Sequence, residues 1–369
     1  MKEFIHHEES DYFSTSKDAR IERKRAKKRD RSLYKKSDQD QLQKKEFVLP
    51  EGDLKKGIVT TIRPELASVV SDEKTYTCTL RGTLKQDKAR LKNLVIVGDI
   101  VHFILTGPDT GAIASVEPRK SVLSRAEHLS HQKEHAIAAN VDQVFITVSV
   151  IDPPLRLPIV DRYLIAAEKG GLRPIIICNK IDLLTSSEYP EEEREREKEA
   201  LVECKQVYES LSVPFIEASA DEGVGIDQIK SYMKDKISVF SGQSGAGKSS
   251  LINAVTGLDL RVGKTVAATR KGSHTTSAAH LLPLPFGGFC IDTPGIKSFG
   301  VWDLQEQDLR HYFDEIQQES YNCKYPDCRH DNEPDCAIPK AIEEGRISAI
   351  RFESYLTLLQ SLREKHLRR

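Results

Sequence analysis

No stretch of the 369-residue chain approaches the roughly 20 consecutive apolar residues that a membrane-spanning helix needs, so a helical membrane protein is not expected. Cysteine is sparse as well: seven in a chain of this length do not make a disulfide scaffold. The opening MKEFIHHEESDYF is polar and acidic and does not read as a secretory leader, which makes a cytoplasmic setting the expectation. No internal repeat is evident. Nor does one sign of charge dominate, since 55 Lys and Arg against 56 Asp and Glu leave a formal net charge of −1. What remains is a soluble protein, 38% hydrophobic and 30% charged, long enough for two or three domains with a sizeable core.

That neutral balance hides one local excess. Residues 17–45 contain ARIERKRAKKRDRSLYKK, strongly basic and almost without apolar side chains. Such a run cannot bury enough surface to fold alone. It reads either as a solvated tail or as an arm that neutralises nucleic-acid phosphates, and charge alone does not choose between them.

From about Phe47 to Glu117 the pattern changes to GIVTTI, LASVVS, TYTCTL, NLVIVGDIVHFIL and GAIASVEP, short β-branched runs separated by turn residues. Strands this short and this close predict a small antiparallel barrel, with an SH3-like barrel fitting nearly as well. Beyond Asn140 strands and helices alternate. VDQVFITVSV, RPIIICN, VPFIEASA and KISVFSG read as strands; LPIVDRYLIAAEKGG, EEEREREKEALVECKQVYESL and GIDQIKSYMKD read as helices, the second with a solvated outer face. That alternation predicts βαβ units and a parallel sheet. SAAHLLPLPFGGFCIDTPG adds two strand-like runs about a Pro-Phe-Gly-Gly turn, and the last 70 or so residues read as helices on both sides of a cysteine-rich knot.

The chemistry concentrates in four places. GQSGAGKSS, after a predicted strand and opening a predicted helix, has the spacing of a phosphate-binding loop. Gly242, Gly245 and Gly247 let backbone N–H groups turn toward phosphate oxygens at the positive end of a helix, with Gln243, Ser244, Ala246 and Ser250 completing the cradle. Lys248 supplies a point charge to the β- and γ-phosphates, and the Ser249 hydroxyl is placed to ligate Mg²⁺. IDTPG is the second phosphate-side element: Asp292 ends an apolar strand, suited to orient the Mg²⁺ shell, and Gly295 offers a backbone N–H to the γ-phosphate. Asn179-Lys180-Ile181-Asp182 is the base-reading element, because the Asp182 carboxylate accepts from guanine N1–H and its 2-amino group while adenine has neither donor. Asn179 can brace the phosphate loop, the Lys180 stem can lie across the base, and Ser219-Ala220, some 40 residues on at a strand end, offers the Ala220 N–H to guanine O6.

In an ordinary GTPase the phosphate loop opens the domain and the base-reading motif closes it. Here the order is base-reading motif, Ala220 loop, phosphate loop, HTT, DTPG, which defines a circularly permuted GTPase domain. Permutation keeps the sheet while cutting the chain elsewhere, provided the old termini can join. Thr275 or Thr276 is placed to complete the Mg²⁺ shell; sequence does not say which. Ile296 stands just after D-x-x-G, where a water-orienting Gln often sits, so slow intrinsic hydrolysis is expected unless a partner or another residue, with His274 a candidate, positions the water. The fourth place is Cys323-x4-Cys328-x-His330-x5-Cys336, a Cys₃His set with no open position and hence a structural zinc site.

Together the barrel, the permuted motif order, GQSGAGKSSLIN, HTT, DTPG and the cysteine knot resemble the RsgA family of bacterial small ribosomal subunit biogenesis GTPases, over roughly residues 47 to 369. The resemblance implies an OB-fold barrel, GTP and GDP as ligands with Mg²⁺, one structural Zn²⁺, and hydrolysis stimulated by the 30S subunit during its late maturation. It also implies 30S and 16S rRNA as partners, and a monomer is expected against so large a particle. The expected organisation is an arm at 1–46, an OB-fold barrel at 47–118, a permuted P-loop GTPase domain of doubly wound α/β type at 119–304, and a helical zinc-binding domain at 305–369. A nucleotide-gated RNA-binding switch with little turnover is the alternative. A metabolic P-loop kinase is disfavoured by N-K-x-D, and the permuted GTPases of large-subunit assembly by the barrel before the domain and the knot after it.

Overall fold

The computed structural model describes residues 54–63, 66–80, 94–126, 134–257, 279–292, 304 and 306–367, so the basic arm lies outside the described residues. Five strands come first: β1 (Lys55–Ile62), β2 (Leu66–Ser71), β3 (Lys74–Leu80), β4 (Ile100–Leu105) and β5 (Thr110–Val116). They close into a barrel in the order β1-β2-β3-β5-β4, antiparallel except for the parallel β3–β5 pair. Period-two alternation turns Val59, Ala67, Val69, Tyr76, Cys78, Val101, Phe103 and Ile113 inward to fill it. This is the OB-like form of the small barrel. The Gly98-Asp99 turn just before β4 is an anchor, because the fully buried Asp99 carboxylate takes the Ile96 N–H at 2.7 Å and two Arg119 bonds at 2.7 and 2.9 Å.

A short hairpin that the sequence pattern did not reveal follows, β6 (Val122–Ala126) with β7 (Glu134–Ala139). Then comes a six-stranded sheet of β8 (Gln143–Ser149), β9 (Arg173–Asn179), β10 (Phe215–Glu217), β11 (Ile237–Gly242), β12 (His280–Pro283) and β13 (Phe289–Asp292). Its spatial order is β10-β9-β8-β11-β13-β12, parallel but for the β12–β13 hairpin. The chain runs outward from β8 to one edge, returns to the middle with β11, and fills the other side. β8 and β11 are therefore neighbours whose following connections leave in opposite directions, the switch point at which open α/β sheets bind ligands beyond their strand ends.

Both faces of the sheet are buried, which is why β8, β9 and β11 read as nearly continuous apolar runs. Helices α1 (Leu157–Gly170) and α2 (Glu191–Ser210) cover one face through Val160, Tyr163, Leu201, Cys204 and Tyr208. Helices α3 (Ile226–Met233) and α4 (Lys248–Thr256) cover the other through Ile229, Met233, Leu251 and Val255. Pro158 sits in the first turn of α1, and Gly171, left-handed at φ 66°, ends it.

The C-terminal part holds α5 (Glu306–Leu309), α6 (Asp314–Ser320), α7 (Ile338–Glu343) and α8 (Ala349–Leu367), with the cysteine knot between α6 and α7. Its core of Leu309, Phe313, Ile316, Ile338, Tyr355 and Leu359 includes Ile165 from α1. A buried ion pair joins the same two elements, Arg351 of α8 to Asp161 of α1. Arg351 also donates to Glu315 at 2.7 Å and stacks its guanidinium 4.2 Å from the Phe313 ring centroid. Burial works against its charge, yet Asp161 and Glu315 hold it above the ordinary arginine range. Among the described residues no helix is long and apolar enough to cross a membrane.

Candidate functional site

The phosphate loop is the turn between β11 and α4. Gly242, Gly245 and Gly247 take φ of 135, 85 and 81°, values closed to most side chains. Space closes two of these positions independently. A Cβ on Gly242 would strike the Thr147 carbonyl of β8, and one on Gly247 would strike Asn179 Nδ2. Lys248 lies back over the loop, its Nζ 3.1 Å from the Gly242 carbonyl and 2.5 Å from that of Gln243. Burial holds its pKa below the ordinary lysine value. Its ammonium thus rests on weak neutral acceptors in a partly desolvated place, where an anion is the stronger partner. Ser244, Gly245 and Ser249 face solvent at the mouth, Ser250 is half-buried, and Ala246 is buried below them.

The residues of the N-K-x-D motif lie against the same loop. Asn179 ends β9 with 1% of its surface exposed. Its Nδ2 donates to the Ala246 carbonyl at 2.9 Å, and its Oδ1 accepts from the Ala220 N–H at 3.1 Å. One side chain therefore ties the phosphate loop to the Ala220 loop. Lys180, left-handed at φ 66°, donates to the Asp152 carbonyl at 2.6 Å. Asp182 is half-buried in a single 3₁₀ turn, Ile181–Leu184, closed by the Thr185 N–H on the Asp182 carbonyl at 3.1 Å. Ser219 is fully buried and its Oγ accepts the Glu222 N–H at 3.1 Å, so it shapes the loop rather than facing the crevice.

Several residues that hold this site carried no motif. The loop after β8 runs through Ile151, which has φ 63° although β-branched, and a cis Asp152–Pro153 bond. It touches both halves of the crevice: the Asp152 carbonyl takes Lys180, the Pro154 carbonyl takes Gln243 Nε2 at 3.2 Å, and the Pro153 ring lies against Gly245. Glu197 of α2, buried where a solvated face was expected, accepts the Ile151 and Leu155 N–H groups at 3.3 and 3.2 Å. The one available signal was the stripe Leu201, Cys204, Tyr208, which continues back one turn onto Glu197.

Other sequence candidates fall elsewhere. His274, Thr275, Thr276, Gly295 and Ile296 lie outside the described residues. The backbone of Asp292 ends β13 opposite His280, beside the phosphate-loop strand; its side chain is not described.

At the knot, Cys323, Cys328, His330 and Cys336 bring their four donor atoms within 4.8 Å of one another. Cys323 Sγ is 3.6 Å from His330 Nδ1 and 4.0 Å from Cys336 Sγ, which is 3.5 Å from the same nitrogen. A tetrahedral Zn²⁺ with Zn–S near 2.3 Å puts its ligand atoms about 3.5–3.8 Å apart, so the donor set fits that ion. The Ala337 N–H points at Cys323 Sγ at 3.4 Å, as a thiolate ligand requires. Burial pushes the Cys336 thiol up to about 12, a penalty that a bound cation would remove.

A phosphate loop and an N-K-x-D strand end on a sheet whose strand order is permuted, between an OB-like barrel and a Cys₃His cluster, define a circularly permuted P-loop GTPase. The RsgA GTPase family model matches residues 116–302, and the chain belongs to that family. It is 39% identical over 289 residues to the small ribosomal subunit biogenesis GTPase RsgA of Bacteroides fragilis, covering 78% of this chain and 90% of that one. The crystal structure of YjeQ from Thermotoga maritima superposes with a TM-score of 0.66 at 32% identity, covering 84% of this chain and 99% of that one. That of YloQ, a circularly permuted GTPase, gives 0.65 at 23% identity over 86% and 98%, a likeness of fold.

Proposed function

We propose that this protein is a GTPase of small-subunit maturation. It docks on the 30S particle and its 16S rRNA with GTP bound, hydrolyses GTP to GDP and phosphate when the particle stimulates it, and is then released. The observation that supports the proposal is the Asn179 bridge, which ties the N-K-x-D strand end to both the Gly-rich loop and the Ala220 loop. The names of the relatives supply the particle. In this role Asp182 and the Ala220 N–H read guanine, the N–H groups of 242–250 cradle the phosphates, and Lys248 moves from the loop carbonyls to the β- and γ-phosphates. Ser249, Asp292 and Thr275 or Thr276 would hold Mg²⁺, which supplies charge neutralisation at the phosphates. The Gly295 N–H and, for the attacking water, His274 complete the assignment. Cys323, Cys328, His330 and Cys336 would hold a structural Zn²⁺. The proposal also includes the four-part organisation at 1–46, 47–118, 119–304 and 305–369, a cytoplasmic setting and a monomer.

A nucleotide-gated RNA-binding switch with little turnover is favoured by one feature, Ile296 where a water-orienting Gln often stands. GTP hydrolysis with and without purified 30S subunits separates the two, with 50S subunits and ATP as controls. Acceleration by orders of magnitude, by 30S alone and for GTP alone, is expected; nucleotide-dependent binding without acceleration would leave the switch.

A further inference from the structure

Helix α1 belongs to two cores. Val160, Tyr163, Ala166 and Ala167 pack toward the sheet, while Ile165 packs among the C-terminal helices. Two buried polar contacts leave it from positions two residues apart, which point about 200° from each other around a helix. On one side Asp161 pairs with Arg351 of α8 and accepts the Tyr208 hydroxyl at 2.8 Å. On the other, the Tyr163 hydroxyl donates to the Gly242 carbonyl at 3.2 Å. That carbonyl opens the phosphate loop and also accepts Lys248 Nζ at 3.1 Å.

Resting on the assignment of this loop to guanine-nucleotide phosphates, we propose that Tyr163 is a positioning residue for Lys248, and that α1 carries the seating of α8 to the phosphate loop. A β-phosphate that attracts the Lys248 ammonium takes it off the loop carbonyls. Gly242 is buried, and among the described residues its carbonyl then keeps one partner, the Tyr163 hydroxyl. With the hydroxyl in place the lysine leaves without stranding a buried acceptor; with it removed, each transfer leaves one. Because Asp161 and Tyr163 share one rigid helix, a shift of α8 through Arg351 moves the hydroxyl relative to Gly242. By linkage, whatever seats the C-terminal helices and whatever occupies the phosphate loop then alter each other's affinity. The zinc-type knot is on the same route, since Tyr355, one turn after Arg351, donates to the Arg329 carbonyl at 3.1 Å, between Cys328 and His330.

The test uses the full chain and a fluorescent GDP, competed by GDP and by GMP, which lacks the β-phosphate. Tyr163→Phe keeps the ring and should weaken GDP about tenfold, or about 1.4 kcal/mol, with GMP unchanged. In a Lys248→Ala background the same substitution should change neither. Arg351→Lys should weaken GDP in the otherwise native chain but not in Tyr163→Phe; if it does not fold, Tyr208→Phe replaces it. GDP binding unaffected by Tyr163→Phe, equal losses for GDP and GMP, or equal Arg351→Lys effects in both backgrounds would each overturn the proposal while leaving the nucleotide assignment intact. A native chain that fails to bind GDP at all would overturn both.

Discussion

Replacing Asn179 by Ala removes two hydrogen bonds from one buried side chain, to the Ala246 carbonyl and from the Ala220 N–H. The two losses differ in kind. Ala246 is buried, so its carbonyl is left without a partner at about 1–3 kcal/mol, whereas Ala220 is half-buried and its N–H can turn to water at about 0.5–1 kcal/mol. The sum, about 1.5–4 kcal/mol, is a large part of the roughly 5–15 kcal/mol that holds an ordinary domain together. Urea unfolding without nucleotide measures it as a lower midpoint at constant slope. Asn179→Asp sharpens the test. It keeps the acceptor for Ala220 but sets an anionic oxygen against the Ala246 carbonyl in a site with almost no water. Its loss should equal or exceed that of Ala. A midpoint for Asn179→Ala within about 0.5 kcal/mol of the native chain, or an Asp variant as stable as Asn, would refute the bridge as a brace between the loops.

Asp182→Asn should weaken GDP by about 100-fold, since a hydrogen bond to a charged group is lost, and should favour xanthosine diphosphate, whose C2 carbonyl can accept from the new amide; calorimetry with both nucleotides reads the switch. Purified chain should carry about one Zn²⁺ by elemental analysis, and Cys328→Ser should abolish it and melt the C-terminal helices first, seen as early loss of helical circular dichroism. Lys56, then His102, hold the Glu117 carboxyl below its ordinary value of 4.5. A depressed folded pKa contributes stability that is present above the unfolded value and lost as pH falls through the folded one. Glu117→Gln should therefore flatten the stability-against-pH curve below about 4.5 and leave it unchanged in shape near neutrality, as a denaturation series across pH would show.

The sequence made some levels of this structure plain because their signals are local. Alternation in β1–β5, continuous apolar runs in β8, β9 and β11, and glycines at fixed offsets before Lys248 are each read within ten residues or so. The Cys₃His cluster belongs with these, since its ligands span 14 positions, from Cys323 to Cys336. What stayed hidden is buried polar pairing across long separations. Glu197 is one acid in a run of them, and only packing decides that this one turns inward to the loop after β8. Arg351 reads as an ordinary cation on a surface helix, yet 190 positions separate it from the Asp161 it meets. Tyr163 looks like one more apolar residue of α1, and its hydroxyl acquires a role only when β11 arrives beside it. β6 and β7 escaped for a related reason, being a short hairpin whose partner strands are alternated too weakly to announce themselves.

The strand order also sets the sequence of events on the ribosome that makes this protein. β8, all seven of its residues destined for burial, emerges with β9 and β10 on one flank and nothing on the other until Ile237 is added. A nascent chain halted before Ile237 therefore owns the N-K-x-D strand end but no phosphate loop, and carries a naked central strand edge that only the later part of the same polypeptide fits. The residues proposed to hold nucleotide are thus complete only with Asp292, the end of the last strand of the sheet to be synthesised.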